Sequence, residues 1–240
     1  MTEHIVTSYD DELKALAIMI TRMGGHAEKV LTDATQALNR HDEELAMRTI
    51  NADEEIDRLE HEIEELAILM IAKRQPMAAD LREVIAAIKI SSDLERIGDL
   101  AKNIAKRAVA IQSETGAVKA ALGIDRMSRI ASRQLKDVLD SYTQRDVDKA
   151  MDVWHRDSEL DAMYTSIFRE LLTYMMEDTR NITFSTHLLF AAKNIERIGD
   201  HATNIAETIY YLSTGAPLRE ARPKKDASSF TPADYPQTDD

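Results

Sequence analysis

An eleven-residue segment occurs twice in this chain with two substitutions, and that duplication restricts the fold more than any other feature. Residues 95–105 read Glu-Arg-Ile-Gly-Asp-Leu-Ala-Lys-Asn-Ile-Ala, and residues 196–206 read Glu-Arg-Ile-Gly-Asp-His-Ala-Thr-Asn-Ile-Ala, so only two positions differ. Core packing alone rarely enforces such agreement, because cores tolerate volume-conserving swaps. The segment marks an internal repeat with one local task performed twice. Fainter echoes extend it. Arg22-Met23 returns as Arg126-Met127, Asp42 as Asp146, Asp53 as Asp157 and Asp57 as Asp161, each 104 positions on. Glu95 and Glu196 are 101 apart, so the second copy has lost three residues near its second turn.

The apolar period is helical nearly throughout. A first helix is predicted over 8–38, with Ser8 and Asp11 resembling a capping box and Gly24-Gly25 as a candidate kink. Its seam includes Leu16, Ile20, Met23, Ala27, Leu31 and Leu38. Asp42 is the predicted N-cap of a second helix reaching 73, with the seam Ala52, Ile56, Leu59, Ile63, Leu66 and Met70. The turn at Arg74-Gln75-Pro76 stops it, because proline cannot continue a helix interior. A third helix over 77–111 carries Ala87, Ile90, Leu94, Ile97, Ala101, Ile104 and Ala108 at alternating spacings of three and four. Residues 112–118 read as a linker, after which the pattern restarts. The fold class is therefore all-α: two tandem three-helix bundles, six long helices with a pseudo-two-fold internal repeat. We assign 1–112 to the first unit, 113–217 to the second and 218–240 to a disordered tail rich in Pro, Ser, Asp and Lys.

Composition narrows the function. The 240 residues carry a formal net charge of −13, which argues against gripping nucleic acid, since phosphate contacts need clustered Lys and Arg. Such a chain suits cations or basic partner surfaces. The absence of cysteine excludes disulfides, thiolate metal sites and a Cys nucleophile. The longest apolar run, 66–72, is too short to span a bilayer, and the first residues lack the basic and apolar regions of a signal peptide. The expectation is a cytoplasmic protein. No Glu-x-x-His pair, nucleophile elbow or phosphate-binding loop is present, so no enzyme signature emerges.

The chemistry-bearing residues are acids. Glu95 and Asp99 share a helix face, as do Glu196 and Asp200, each opposite its own seam and therefore expected to point outward. Asp53 with Asp57, and Asp157 with Asp161, flank the seams of their helices and are expected to face outward too. Like charges at i,i+4 cost a few tenths of a kcal/mol each on an isolated helix. Facing such helices toward one another raises the cost unless a cation lies between them. Oxygen-only donors suit Mg²⁺, Mn²⁺, Ca²⁺ or iron. Gly98 and Gly199 would let a neighbouring helix approach beside the acids. Arg96 and Arg197 are candidate neutralising partners, and Asn103 and Asn204 are candidate outer ligands or plain surface amides. The bland alternative is that all of these acids form a solvated face. Trp154 is expected to pack between the fourth and fifth helices, and Met23 and Met70 to fill the core.

Taken together, the tandem three-helix repeats, the Asp-x-x-x-Asp of each second helix and the Glu-Arg-Ile-Gly-Asp-x-Ala-x-Asn-Ile-Ala of each third helix resemble the PhoU family. The stretch from Arg74 to Arg82 and the closing Ile-Tyr-Tyr-Leu-Ser-Thr-Gly at 209–215 are similar to that family as well. The resemblance covers about 5–218. It implies a non-enzymatic negative regulator of the phosphate-starvation response and of phosphate uptake. Its implied partners are a sensor histidine kinase and the nucleotide-binding subunit of the phosphate ABC transporter, and it implies a homodimer. It further implies surface clusters of divalent or trivalent metal ions (iron, manganese, magnesium or zinc) held by Asp53, Asp57, Glu95 and Asp99 in one repeat. Asp157, Asp161, Glu196 and Asp200 are the matching ligands in the other. Two rivals stand beside this: a metal-free helical adaptor using the acids as docking charges, and a carboxylate-bound metalloenzyme.

Overall fold

Helical periodicity with few β-branched runs yields helices and, among the described residues, no strand. The computed structural model describes residues 2–111, 118–220 and 222, with side chains over 9–111, 123–220 and at 222. Its helices are α1 (Thr2–Arg40), α2 (Glu43–Ala52), α3 (Glu54–Arg74), α4 (Ala79–Ala110), α5 (Val118–Gln144), α6 (Val147–His155), α7 (Asp157–Glu177) and α8 (Ile182–Thr214), with a 3₁₀ turn at Thr179–Asn181. The six expected helical segments are present, but the second and fifth are each interrupted by a single residue. α2 and α3 meet at Asp53, and α6 and α7 meet at Arg156.

Local chemistry explains the boundaries. Asp42 Oδ1 accepts from Leu45 N at 2.9 Å, and Asp146 Oδ1 from Lys149 N at 3.0 Å, so both repeats open their second helix with the same cap. The residues just before these caps, His41 and Arg145, both lie in the left-handed region at φ 54°, which reverses the chain within two residues. Gln75 ends α3 at φ 48°, with its N–H on Ile71 O. Two expectations are corrected. Ser8 lies inside α1 rather than at its start, so it is no N-cap. The Gly24-Gly25 pair does not interrupt α1; a Cβ at Gly24 would fall 2.7 Å from a Leu139 methyl, so the glycine makes room for α5. The three missing residues of the second copy come off the helix ends that flank its turn, at the close of α7 and the start of α8.

Each repeat packs three helical segments around its seam, and the two seams merge into one continuous core. α4 and α8 lie side by side and antiparallel. Arg107 near the end of α4 approaches His187 near the start of α8 at 3.5 Å, Asp93 meets His201 midway, and Lys89 lies over the Tyr211 ring. α1 and α5 close the other side. Ile90, Leu94, Ile97, Ala101 and Ile104 on α4, and Ala191, Ile195, Ile198, Ala202 and Ile205 on α8, are fully buried, as their spacing predicts. Trp154 is buried, with Nε1 donating to Glu207 Oε1 of α8 at 3.0 Å, so it anchors α6 to the central helix rather than packing between α5 and α6 alone. Beyond α8, Leu218 packs against the core and Arg222 is tied to α7 and α8. Of the segment expected to be disordered, residue 221 and residues 223–240 lie outside the described residues. None of the helices is long and apolar enough to cross a membrane, among the described residues.

Candidate metal centres

The breaks at Asp53 and Arg156 shape both acidic sites. They put Asp53 at the N-cap of α3 and Asp57 and Asp157 in the first turns of α3 and α7, where the helix dipole favours negative charge. Asp53 carries no capping bond of its own side chain. Its carboxylate instead turns inward, and its backbone carbonyl accepts from Ile56 N and Asp57 N.

The outward placement expected for the acids is overturned. Asp53 is fully buried, Asp157 is 1% exposed, Asp161 2% and Glu196 4%. Glu95, Asp99, Asp57 and Asp200 are partly covered. The reason is tertiary: the acids of α4 face the α2–α3 junction, and those of α8 face α7, so each cluster lies in a cleft between helices. At the junction Asp53 takes the buried position and Ala52 is exposed, which shifts the start of the predicted seam by one residue.

In repeat one, Lys102 holds the cluster together. Its Nζ donates to Asp53 Oδ2 at 2.7 Å and lies 3.7 Å from Asp99 Oδ1. Among the described residues, Asp53 Oδ1 is buried without a hydrogen-bond partner. It occupies the space that a side chain at position 98 would fill, since a Cβ there would come within 2.7 Å of it. Desolvation raises the Asp53 carboxyl above the usual carboxylate range, opposed by Lys102. Desolvation also raises Glu95, reinforced by Asp99 and Glu60. Glu60, one helical turn beyond Asp57, is raised by burial as well. It belongs to this cluster and is absent from the predicted set, because the repeat places Tyr164 at its counterpart.

In repeat two the cations are different. Thr203 stands where Lys102 stands in repeat one, and its hydroxyl faces Asp157 Oδ1 at 3.2 Å. The guanidinium of Arg222 takes the cationic role: Nε donates to Asp157 Oδ2 at 2.8 Å, and Nη2 lies 2.9 Å from Asp200 Oδ1. Lys193 pairs with Glu196 Oε2 at 2.9 Å and lies over the Tyr164 ring. Burial raises the Glu196 carboxyl, opposed by Lys193. Arg96 touches Glu95 at 3.5 Å from an exposed position, and Arg197 is exposed, so the expected neutralising arginines are secondary to Lys102, Lys193 and Arg222. Asn204 donates to Asp93 across the α4–α8 contact and Asn103 is exposed, so neither faces an acidic cluster as an outer ligand. Lys102 was legible in sequence as one of the two differing positions of the duplicated segment. Arg222 carried no such signal.

The donor chemistry fits hard cations. Both clusters offer chiefly carboxylate oxygens, partly desolvated, and in repeat one Asp53 Oδ1 is buried without a hydrogen-bond partner among the described residues, with Gly98 leaving room beside it. No group of three or more Asp, Glu or His converges to hold an ion among the described residues, and the ammonium of Lys102 and the guanidinium of Arg222 already lie on acids of the two clusters. An entering ion therefore competes with Lys102 in one repeat and with Arg222 in the other.

Tandem three-helix bundles with a carboxylate cluster set into the same cleft of each repeat define a duplicated, acid-bearing helical fold. The PhoU domain family matches residues 20–108 and 124–209. The chain belongs to this family. It is 55% identical over 226 residues to the phosphate-specific transport system accessory protein PhoU homolog of Rhizobium meliloti (strain 1021), covering 94% of this chain and 95% of that one. It is 37% identical over 219 residues to the phosphate-specific transport system accessory protein PhoU of Escherichia coli (strain K12), covering 91% and 90%. Among solved structures, PhoU from Pseudomonas aeruginosa superposes with a TM-score of 0.84 at 36% identity, covering 87% of this chain and all of that one. The phosphate transport system regulatory protein PhoU from Streptococcus pneumoniae gives 0.81 at 28% identity, covering 88% of this chain and all of that one.

Proposed function

We propose that this protein is a non-enzymatic accessory regulator of a phosphate-specific transport system. It restrains the phosphate-starvation response and phosphate uptake by docking to a sensor histidine kinase and to the transporter's nucleotide-binding subunit, working in the cytoplasm as a homodimer. The observation that carries this reading is the near full-length match to relatives named as accessory proteins of that system, on a fold with the same two repeats. The high negative charge supports docking to basic partner surfaces.

Asp53, Asp57, Glu95 and Asp99 would hold ions in repeat one, with Glu60 at its edge, and Asp157, Asp161, Glu196 and Asp200 would do so in repeat two. Bound ions there supply positive charge that cross-links α3 to α4 and α7 to α8, fixing the faces presented to a partner. The acids act as ligands in this reading, not as proton donors. A phosphate-starvation reporter assayed in abundant phosphate, with and without this protein, tests the regulatory role. It should switch on when the protein is removed; a reporter that stays off would count against it.

The metal-free adaptor is favoured by one observation, that Lys102 and Arg222 already balance part of the buried charge. Partner binding that persists unchanged in a strong chelator would select that reading over the metal-dependent one.

A further inference from the structure

Arg222 reaches the second acidic cluster from a segment 22 residues beyond Asp200 in sequence, after the helical repeats have ended. Its side chain is 17% exposed, and among the described residues the polar contacts of its guanidinium fall on the cluster or beside it. Nε meets Asp157 Oδ2 at 2.8 Å, and Nη2 meets Asp157 Oδ1 at 3.2 Å, Asp200 Oδ1 at 2.9 Å and Asp200 O at 3.1 Å. Arginine suits this geometry, since its planar fork satisfies a buried carboxylate with two parallel bonds. Asp157 is 1% exposed and would otherwise be a desolvated charge facing only the Thr203 hydroxyl.

The two repeats are thereby unequal. Repeat one is neutralised from within its own helix by Lys102, a single point charge, and retains an unpartnered Asp53 oxygen. Repeat two has exchanged that lysine for Thr203 and takes its cation from outside the repeat. A metal ion on Asp157 and Asp200 and the Arg222 guanidinium claim the same oxygens, and like charges cannot share them without repulsion. We propose that Arg222 is a tethered cation that occupies the second cluster in place of a metal ion. Metal binding in repeat two then displaces the Arg222 side chain, whereas repeat one loads independently of it. Arg222 is thus an internal competitor that converts metal occupancy of one repeat into its own release.

This inference rests on the metal reading above, and the test separates the two. Mn²⁺ binding is measured by titration calorimetry on the full chain in two backgrounds. With repeat one disabled by Glu95→Ala and Asp99→Ala, Arg222→Ala should tighten Mn²⁺ binding tenfold or more, and Arg222→Lys should fall between. With repeat two disabled by Glu196→Ala and Asp200→Ala, Arg222→Ala should change binding less than twofold. Unchanged affinity in the first background would overturn the competitor, while Mn²⁺ still bound in either would leave the metal reading standing. No Mn²⁺ binding in any variant, including Arg222→Ala with both clusters intact, would overturn both. Thermal melts guard against a purely structural role. In EDTA the Arg222→Ala protein should melt below its parent, because Asp157 loses its partner, and Mn²⁺ should raise its Tm by more than it raises the parent's. A lowered Tm that Mn²⁺ does not restore would identify Arg222 as a structural clamp and overturn the proposal.

Discussion

At the scale of single residues, the two clusters are poised between burial and repulsion, and Lys102 is the clearest lever. Removing one partner of a buried ion pair leaves the other desolvated and uncompensated. Lys102→Met should therefore destabilise the metal-free protein by about 2 kcal/mol, below the full cost of a sealed pair because the lysine reaches solvent. Adding Asp53→Asn should recover most of that loss, as denaturant titration would show. The pH dependence has a definite sign. Asp53, Glu60, Glu95 and Glu196 are all held above their ordinary carboxyl values, so the native state binds more protons than the unfolded one in that window. Stability must then rise as pH falls from neutrality through their raised values toward about 4. Carboxyls held low by partly exposed partners, such as Glu12 beside Arg74, lose their contribution only below that range and are partly screened by solvent. Melts in chelator should show Tm climbing as pH falls from neutrality, with Glu60→Gln plus Glu95→Gln flattening the slope.

Among the helical elements, the duplicated Gly positions look equivalent in sequence and are not. Alanine is favoured over glycine in a helix interior by about 1 kcal/mol. At Gly199 the nearest atoms to a new Cβ are side-chain ends of Gln134 and Leu160, at 3.3 and 3.4 Å, which need to give by only a few tenths of an ångström. At Gly98 the Cβ would meet the Asp53 carboxylate at 2.7 Å and Ile56 Cδ1 at 2.9 Å, and the former is fixed by Lys102. Gly199→Ala should leave Tm unchanged or raised, while Gly98→Ala should lower it and disturb the first cluster alone. The breaks in the second and fifth helices belong to this scale as well. Apolar spacing runs uninterrupted through both, so periodicity predicts one helix each, while the reorientation of Asp53 toward Lys102 depends on a helix more than forty residues away in sequence.

For the molecule as a whole, the antiparallel α4–α8 contact makes one core out of two repeats. Asp93 of α4 receives both His201 Nδ1 and Asn204 Nδ2 from α8, so the join has polar specificity as well as apolar area. Trp154, the single tryptophan, lies in repeat two, whereas the far-ultraviolet signal averages over both. Because the core is shared, urea unfolding followed by Trp154 fluorescence and by circular dichroism should give coincident transitions. Two separated transitions would mean that the repeats fold as independent units.

The amino-acid sequence by itself determined the helical class, the duplication, the seams, the two Asp caps and the family, because each depends on periodicity or on short local motifs. It also placed the eight acids in register across the two repeats. Only the tertiary structure decided that half of those acids are buried, that Glu60 joins one cluster, and that Lys102 and Arg222 fill the same role in different repeats. Burial and ion pairing depend on which surfaces other elements cover, and that information is spread over residues distant in sequence. Position along one helix fixes a side chain's direction, but what it meets there is set by the fold.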